Sequence, residues 1–162
     1  MRVIQVQPLT REAFAPFGDV IEAGASAAMN AGRFERSVAQ TTLDMAPPHP
    51  ASVDVTTCKE TTVFPYQFDV LERHPLGSQA FVPLSEFVFV VVVAPGGNEV
   101  NPDAVCAFVT NGRQGINYHR GTWHTPMIAT AGQQFLLIER SGEEANCEER
   151  RLAAPLTLAA PA

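Results

Sequence analysis

The sequence predicts a mainly β protein, an antiparallel sandwich or barrel with few short helices. Three observations carry that prediction. Short apolar stretches recur with turn residues between them, long helical periodicity is absent, and strands do not alternate with long helices as they do in parallel α/β folds. The 162 residues fit one domain. No internal repeat shows at solenoid periods.

Residues 3–7 alternate apolar and polar side chains and read as a strand closed by Pro8. Thr10 is placed to cap a short helix over residues 11–17, with Phe14 and Phe17 on one face and Gly18 ending it. Residues 19–22 read as a strand and 23–32 as a loop of small residues. Residues 45–50, rich in proline, read as a rigid turn that leaves His49 in solvent. Val, Thr and aromatic residues mark three strands over 51–59, 61–68 and 69–74, and the turn Pro75-Leu-Gly77 follows. Residues 79–84 resume the strand pattern, and the apolar run 87–94 reads as a strand buried on both faces. After a turn at 95–98 come strands at 104–110 and 134–140, with the glycine turn 111–115 and a polar, aromatic stretch between them. Residues 1–150 are thus assigned to a single domain, and 151–162 to a C-terminal tail without pattern.

The net charge of −6 supplies no basic footprint for nucleic acid or anionic lipid. The start lacks a secretory signal pattern, and the apolar run 87–94 is far short of the roughly 20 residues of a membrane-spanning helix. A cytoplasmic protein without a membrane partner is expected. Cys58, Cys106 and Cys147 are odd in number and widely spaced, against both a disulfide framework and a CxxC metal knuckle.

The candidate site centres on Asn117-Tyr-His-Arg-Gly-Thr-Trp-His-Thr-Pro126, too polar for a core strand and too aromatic for a solvated turn. Arg120 offers a planar fork for a carboxylate, and His119 can act as acid or base near neutrality. For Tyr118 the ring can pack while the hydroxyl donates into a site; Trp123 reads as a packing residue. A second cluster is Glu72-Arg-His74, whose outer residues share a strand face, followed by Gln79 at the start of the next strand. With His124, these could surround one divalent cation with mixed nitrogen and oxygen donors, or line a polar cavity without one. Arg36, beside Phe34 in a charged stretch, either reaches a site or decorates an edge.

These residues resemble the two cupin motifs in degenerate form. His119-Arg-Gly121-Thr-Trp-His124 follows Pro-x-Gly-x-x-His with His119 in place of proline; Glu72 replaces the leading histidine of His-x-His, and Gln79 stands where a glutamate is usual. Longer strings are similar to the ureidoglycolate lyases, formerly called ureidoglycolate hydrolases. They are Phe14-Ala-Pro-Phe-Gly-Asp-Val-Ile21, Leu71-Glu-Arg-His-Pro-Leu-Gly-Ser-Gln-Ala-Phe81, Phe89-Val-Val-Val-Val-Ala94, and residues 107–124, with Asn30-Ala-Gly32 and Arg36, and Asn146-Cys147 near the end, also agreeing.

The resemblance implies a cupin-type double-stranded β-helix and a homodimer. It implies conversion of (S)-ureidoglycolate to glyoxylate and urea in the breakdown of allantoin and purine nitrogen, with a divalent metal, nickel being named for the family. On that reading Glu72, His119 and Tyr118 are the catalytic candidates. Arg120, Asn117, Arg36 and Arg73 would bind substrate, and Glu72, His74, Gln79 and His124 would hold the metal. Two rival expectations are an amidohydrolase that releases ammonia from ureidoglycolate and a non-catalytic cupin that binds a small acid.

Overall fold

A computed structural model describes residues 2–38, 40–46 and 49–162. In chain order the strands are β1 Val3–Ile4, β2 Val6–Pro8, β3 Gly18–Ile21, β4 Ala27–Met29, β5 Phe34–Arg36, β6 Ala51–Thr57, β7 Tyr66–Arg73, β8 Gln79–Pro83, β9 Val90–Ala94, β10 Cys106–Val109, β11 Gly115–Tyr118, β12 Trp123–His124, β13 Gln134–Arg140 and β14 Glu148–Leu158. Among the described residues helix is confined to α1, Arg11–Phe14, and a 3₁₀ turn at Pro102–Ala104. Thr10 caps α1, its hydroxyl accepting from the Ala13 N–H at 3.1 Å.

Two sheets carry the fold. The larger runs β1-β14-β7-β12-β9-β10-β2, and the smaller runs β3-β11-β8-β13-β6. This is the mainly β, cupin-type barrel expected. The N-terminal strand is divided: β1 pairs parallel with β14 and β2 pairs parallel with β10, although only Gln5 separates them. Since those partners stand at opposite ends of the larger sheet, the segment ties its two edges together and removes an exposed edge.

β9 divides the core. Val90, Val92 and Ala94 join a cluster with Ile4, Leu71 and Trp123, while Val91 and Val93 join another with Phe81, Phe108, Ile116 and Tyr118. All five β9 residues are buried, which explains an apolar run in place of alternation. The second cluster is knit by edge-on aromatic pairs, among them Phe89 and Phe135 with centroids 4.9 Å apart.

Several elements differ from the sequence reading. The helix stops at Phe14, and Gly18 opens β3, because a side chain there would place a carbon 2.2 Å from the Asn117 carbonyl oxygen. That glycine permits close approach of β3 to β11. The supposed loop 23–32 contains β4, which forms a hairpin with β5. Residues 61–65 are not strand; Thr62 N–H donates to Ala129 O at 3.1 Å, and β7 then runs unbroken through the boundary expected at 68/69.

The stretch that carried no pattern after Cys147 forms β14, whose Leu152, Leu156 and Leu158 are buried. Its register against β7 shifts between Arg151 and Leu156, which breaks the period-two signal that would have revealed it. Of the turn at 45–50, Pro47 and Pro48 lie outside the described residues; His49 is partly buried, 3.4 Å from Glu144. No helix among the described residues is long and apolar enough to cross a membrane.

Candidate active site

Strand alternation decides which side chains meet. On β7, Leu71 enters the first core cluster, so Glu72 faces the other way; on β12, Trp123 enters that cluster and His124 faces the other way. β7 and β12 are paired with His124 directly opposite Glu72. From the facing sheet β11 contributes Tyr118, whose ring stacks on His124 with centroids 4.3 Å apart and an angle of 15°. Gln79 on β8 pairs in register with both Tyr118 and Glu139, and its amide nitrogen donates to Glu139 Oε2 at 2.8 Å. Between these groups opens a cavity of about 470 Å³, whose apolar wall includes Phe81, Met127, Phe135 and Leu137.

His74 stands just past the end of β7, where Gly121 N–H donates to its carbonyl at 3.0 Å. Gly121 has φ of 76°, the left-handed turn conformation that suits glycine. The His74 ring lies 5.1 Å from that of His124. Each imidazole is oriented by a carbonyl: His74 Nδ1 is 2.7 Å from Asn146 O, and His124 Nδ1 is 2.9 Å from Thr122 O. A carbonyl only accepts, so each Nδ1 carries a proton; each Nε2 then presents a lone pair in the neutral ring and a second N–H in the charged one. Both Nε2 atoms are buried without a hydrogen-bond partner among the described residues.

Glu72, His74 and His124 bring one ligand atom each within 4.8 Å of one another. Two orphaned imidazole nitrogens and a carboxylate, with each ring held through its other nitrogen, are a donor set that fits a divalent cation. The His124 imidazole, with Glu72 Oε1 3.6 Å from its Nε2, holds the Glu72 carboxyl below the usual range; burial opposes this, and His74 adds to it. Cys147 Sγ lies 3.7 Å from Glu72 Oε2. Burial, reinforced by the Glu72 charge, pushes Tyr118 well above the ordinary phenol range, so its hydroxyl keeps its proton. That hydroxyl oxygen is buried and unpartnered among the described residues.

The other candidates lie elsewhere, for the same geometric reason. With Tyr118 facing inward, Asn117 faces outward: it is fully buried, and its amide donates to Thr41 Oγ1 at 2.8 Å and Thr42 O at 3.3 Å. His119 Nε2 is 3.2 Å from Asp19 Oδ2, which also accepts from the Thr41 hydroxyl at 2.7 Å. Arg120 is paired with Asp44. These three hold the 41–44 segment and do not line the cavity. Arg73, next to Glu72, faces away; it binds Glu148 at 2.7 Å and lies 4.8 Å above the Trp123 ring. Arg36 is exposed on β5. The structure therefore gathers Glu72, His74, His124, Gln79 and Tyr118, and leaves Asn117, His119, Arg120, Arg36 and Arg73 apart from them.

Sequence reasoning named Asn146 and Thr122 only within the strings of the resemblance and gave no role to them or to Lys59. Asn146 grips the segment after β7 twice, through its carbonyl to His74 and through Oδ1 accepting from Leu76 N–H at 2.7 Å. It stands 72 positions from His74, beyond any spacing argument. Lys59 borders the cavity; its one available signal was being the chain's single lysine.

Residues 1–159 match the family described as ureidoglycolate lyase. The chain is 47% identical over 152 residues to a ureidoglycolate lyase of Pseudomonas aeruginosa strain LESB58, covering 92% of this chain and 90% of that one. It is 46% identical over 156 residues to one from Pseudomonas syringae pv. syringae strain B728a, covering 94% and 92%. A third, from Stutzerimonas stutzeri strain A1501, is 46% identical over 152 residues, covering 92% and 89%.

Proposed function

The chain belongs to the ureidoglycolate lyase family, and from that premise we propose that it cleaves (S)-ureidoglycolate to glyoxylate and urea in the breakdown of allantoin, within purine nitrogen catabolism. It is a carbon–nitrogen lyase. The observation that carries the reading at the level of residues is the pair of orphaned Nε2 atoms, on His74 and His124, converging with Glu72 beside the cavity.

Ureidoglycolate carries a hydroxyl, a carboxylate and a ureido nitrogen on one carbon. Glyoxylate forms when the hydroxyl loses its proton, the oxygen's electron pair closes the C=O bond, and the C–N bond breaks with its pair going to nitrogen. That nitrogen must gain a proton, because urea anion is a poor leaving group. The two proton movements cancel and no water is consumed.

Glu72, His74 and His124 are the residues that would hold a divalent cation, nickel by family resemblance, with Gln79 beside them on the cavity wall. Such a cation, when bound, supplies Lewis acidity toward the substrate oxygens. Glu72, ionised at neutral pH, takes the hydroxyl proton through whichever oxygen is free. The Tyr118 hydroxyl, held protonated, donates to the departing nitrogen. Phe81, Phe135 and Leu137 keep that end of the cavity apolar, which strengthens both interactions. Asn117, His119 and Arg120 act from outside, holding the 41–44 segment against the end of β11.

Incubation with (S)-ureidoglycolate and separate assay of urea, glyoxylate and ammonia tests the reaction. Equal urea and glyoxylate support it. Ammonia in place of urea means amidohydrolase chemistry, and thermal stabilisation without turnover means a binding protein. We further place the enzyme in the cytoplasm as a homodimer. What supports pairing is the outer face of β6, where Val53 and Val55 are 64% and 58% exposed and stand opposite Ile138 and Leu136 of β13. Light scattering at twice the chain mass is the expected result.

A further inference from the structure

The substrate proposed above is an anion, yet no arginine borders the cavity. Eight of the ten arginines are paired with acids elsewhere. The other two, Arg33 and Arg36, are exposed at the β4–β5 hairpin. Lys59 alone among the described lysines and arginines lines the cavity, and no described acid is paired with it.

Its position is built rather than incidental. Lys59 follows β6 in the smaller sheet, whereas Glu72 and His124 come from β7 and β12 in the larger one, so the cavity has its cation on one wall and its imidazole cluster on the other. The backbone on both sides is fixed to the turn before β13. Cys58 N–H donates to Gln133 O at 2.9 Å, Gly132 N–H to Cys58 O at 2.9 Å, and Thr62 N–H to Ala129 O at 3.1 Å. A flexible four-carbon stem on this anchored base can carry its ammonium to a ligand entering from solvent. Of the two acids on the cavity, Glu72 faces imidazoles and Glu60 is its exposed chain neighbour.

We propose that Lys59 is a specificity-determining residue that binds the substrate carboxylate and selects carbinolamides of α-hydroxy acids over uncharged ones. The inference rests on the lyase reading. Its test compares ureidoglycolate with N-(hydroxymethyl)urea, which keeps the carbinolamide but has no carboxylate. In Lys59→Met, kcat/KM for ureidoglycolate should fall about ten- to a hundredfold, mainly through KM, as expected for losing one charged hydrogen bond. The value for N-(hydroxymethyl)urea should stay unchanged, and Lys59→Arg should recover most of the loss.

An equal fall on both substrates would mean a structural role, and no fall on either would mean no role; both overturn the proposal. Calorimetric titration with glyoxylate separates it from the lyase reading. A wild type that binds glyoxylate through Lys59 but releases no urea leaves the anion site standing and removes the activity. Urea release with glyoxylate binding indifferent to Lys59→Met does the reverse.

Discussion

Glu72 and His124 face each other directly across β7 and β12, with Glu72 Oε1 3.6 Å from His124 Nε2. Their chain neighbours Leu71 and Trp123 are 1% and 0% exposed in the core, so a slip of one residue would turn the acid and the imidazole into that apolar cluster and the two apolar groups toward the cavity. The hydrophobic pattern thus fixes the register that makes the site.

Removal of either imidazole should abolish tight cation binding. For His74→Ala or His124→Ala, affinity for added nickel is expected to fall by more than about a hundredfold, since changes one layer further out already cost ten- to a hundredfold. Elemental analysis of the purified protein and competition with a chelating dye provide the measurement. Unchanged metal content in both variants would remove the triad as a metal centre.

Tyr118→Phe should separate activity from stability. The variant keeps the ring stacked on His124 and deletes a buried hydroxyl that has no partner among the described residues. Turnover should fall about a hundredfold with the loss of a positioned proton donor. The melting temperature should hold or rise, because an unpaired buried polar group is a cost of about 1–3 kcal/mol. A variant that melts lower with full activity contradicts both halves.

Acid sensitivity has a local contributor at Asp44. Hydrogen bonding to Arg120 holds its carboxyl below the usual range. A depressed folded-state pKa stabilises at pH above the unfolded value, near 3.9, and that contribution is lost as pH falls through the folded value. Asp44→Asn should therefore be less stable than wild type at pH 7, by at most about 1 kcal/mol for so exposed a pair. The difference in melting temperature should close as pH is lowered toward 3. A gap that widens on acidification would contradict the assignment.

Much of this was legible in the sequence where local rules suffice. The doubly buried β9, the capped α1 and the shared face of Glu72 and His74 follow from period and spacing. What escaped depends on contacts distant in sequence. Tyr118 and His119 are neighbours with equal chemical claims, and only the direction of β11 sends one inward and the other to Asp19. Lys59 reaches the cavity because β6 lies beside β13, a pairing that no local motif announces. β14 was hidden by its own bulge.

The divided N-terminal strand has a temporal consequence. Val3 and Ile4 pair with Thr157 and Leu158, while Val6–Pro8 pair with β10 some fifty residues earlier than that. The strap can dock on β10 as soon as that hairpin has left the ribosome, but the larger sheet cannot be sealed until residue 158 has emerged. Such long-range closure makes for slow folding. During synthesis the half-sealed sheet, with the edge of β7 that β14 later covers still open, is the stage at which this chain is most exposed to aggregation.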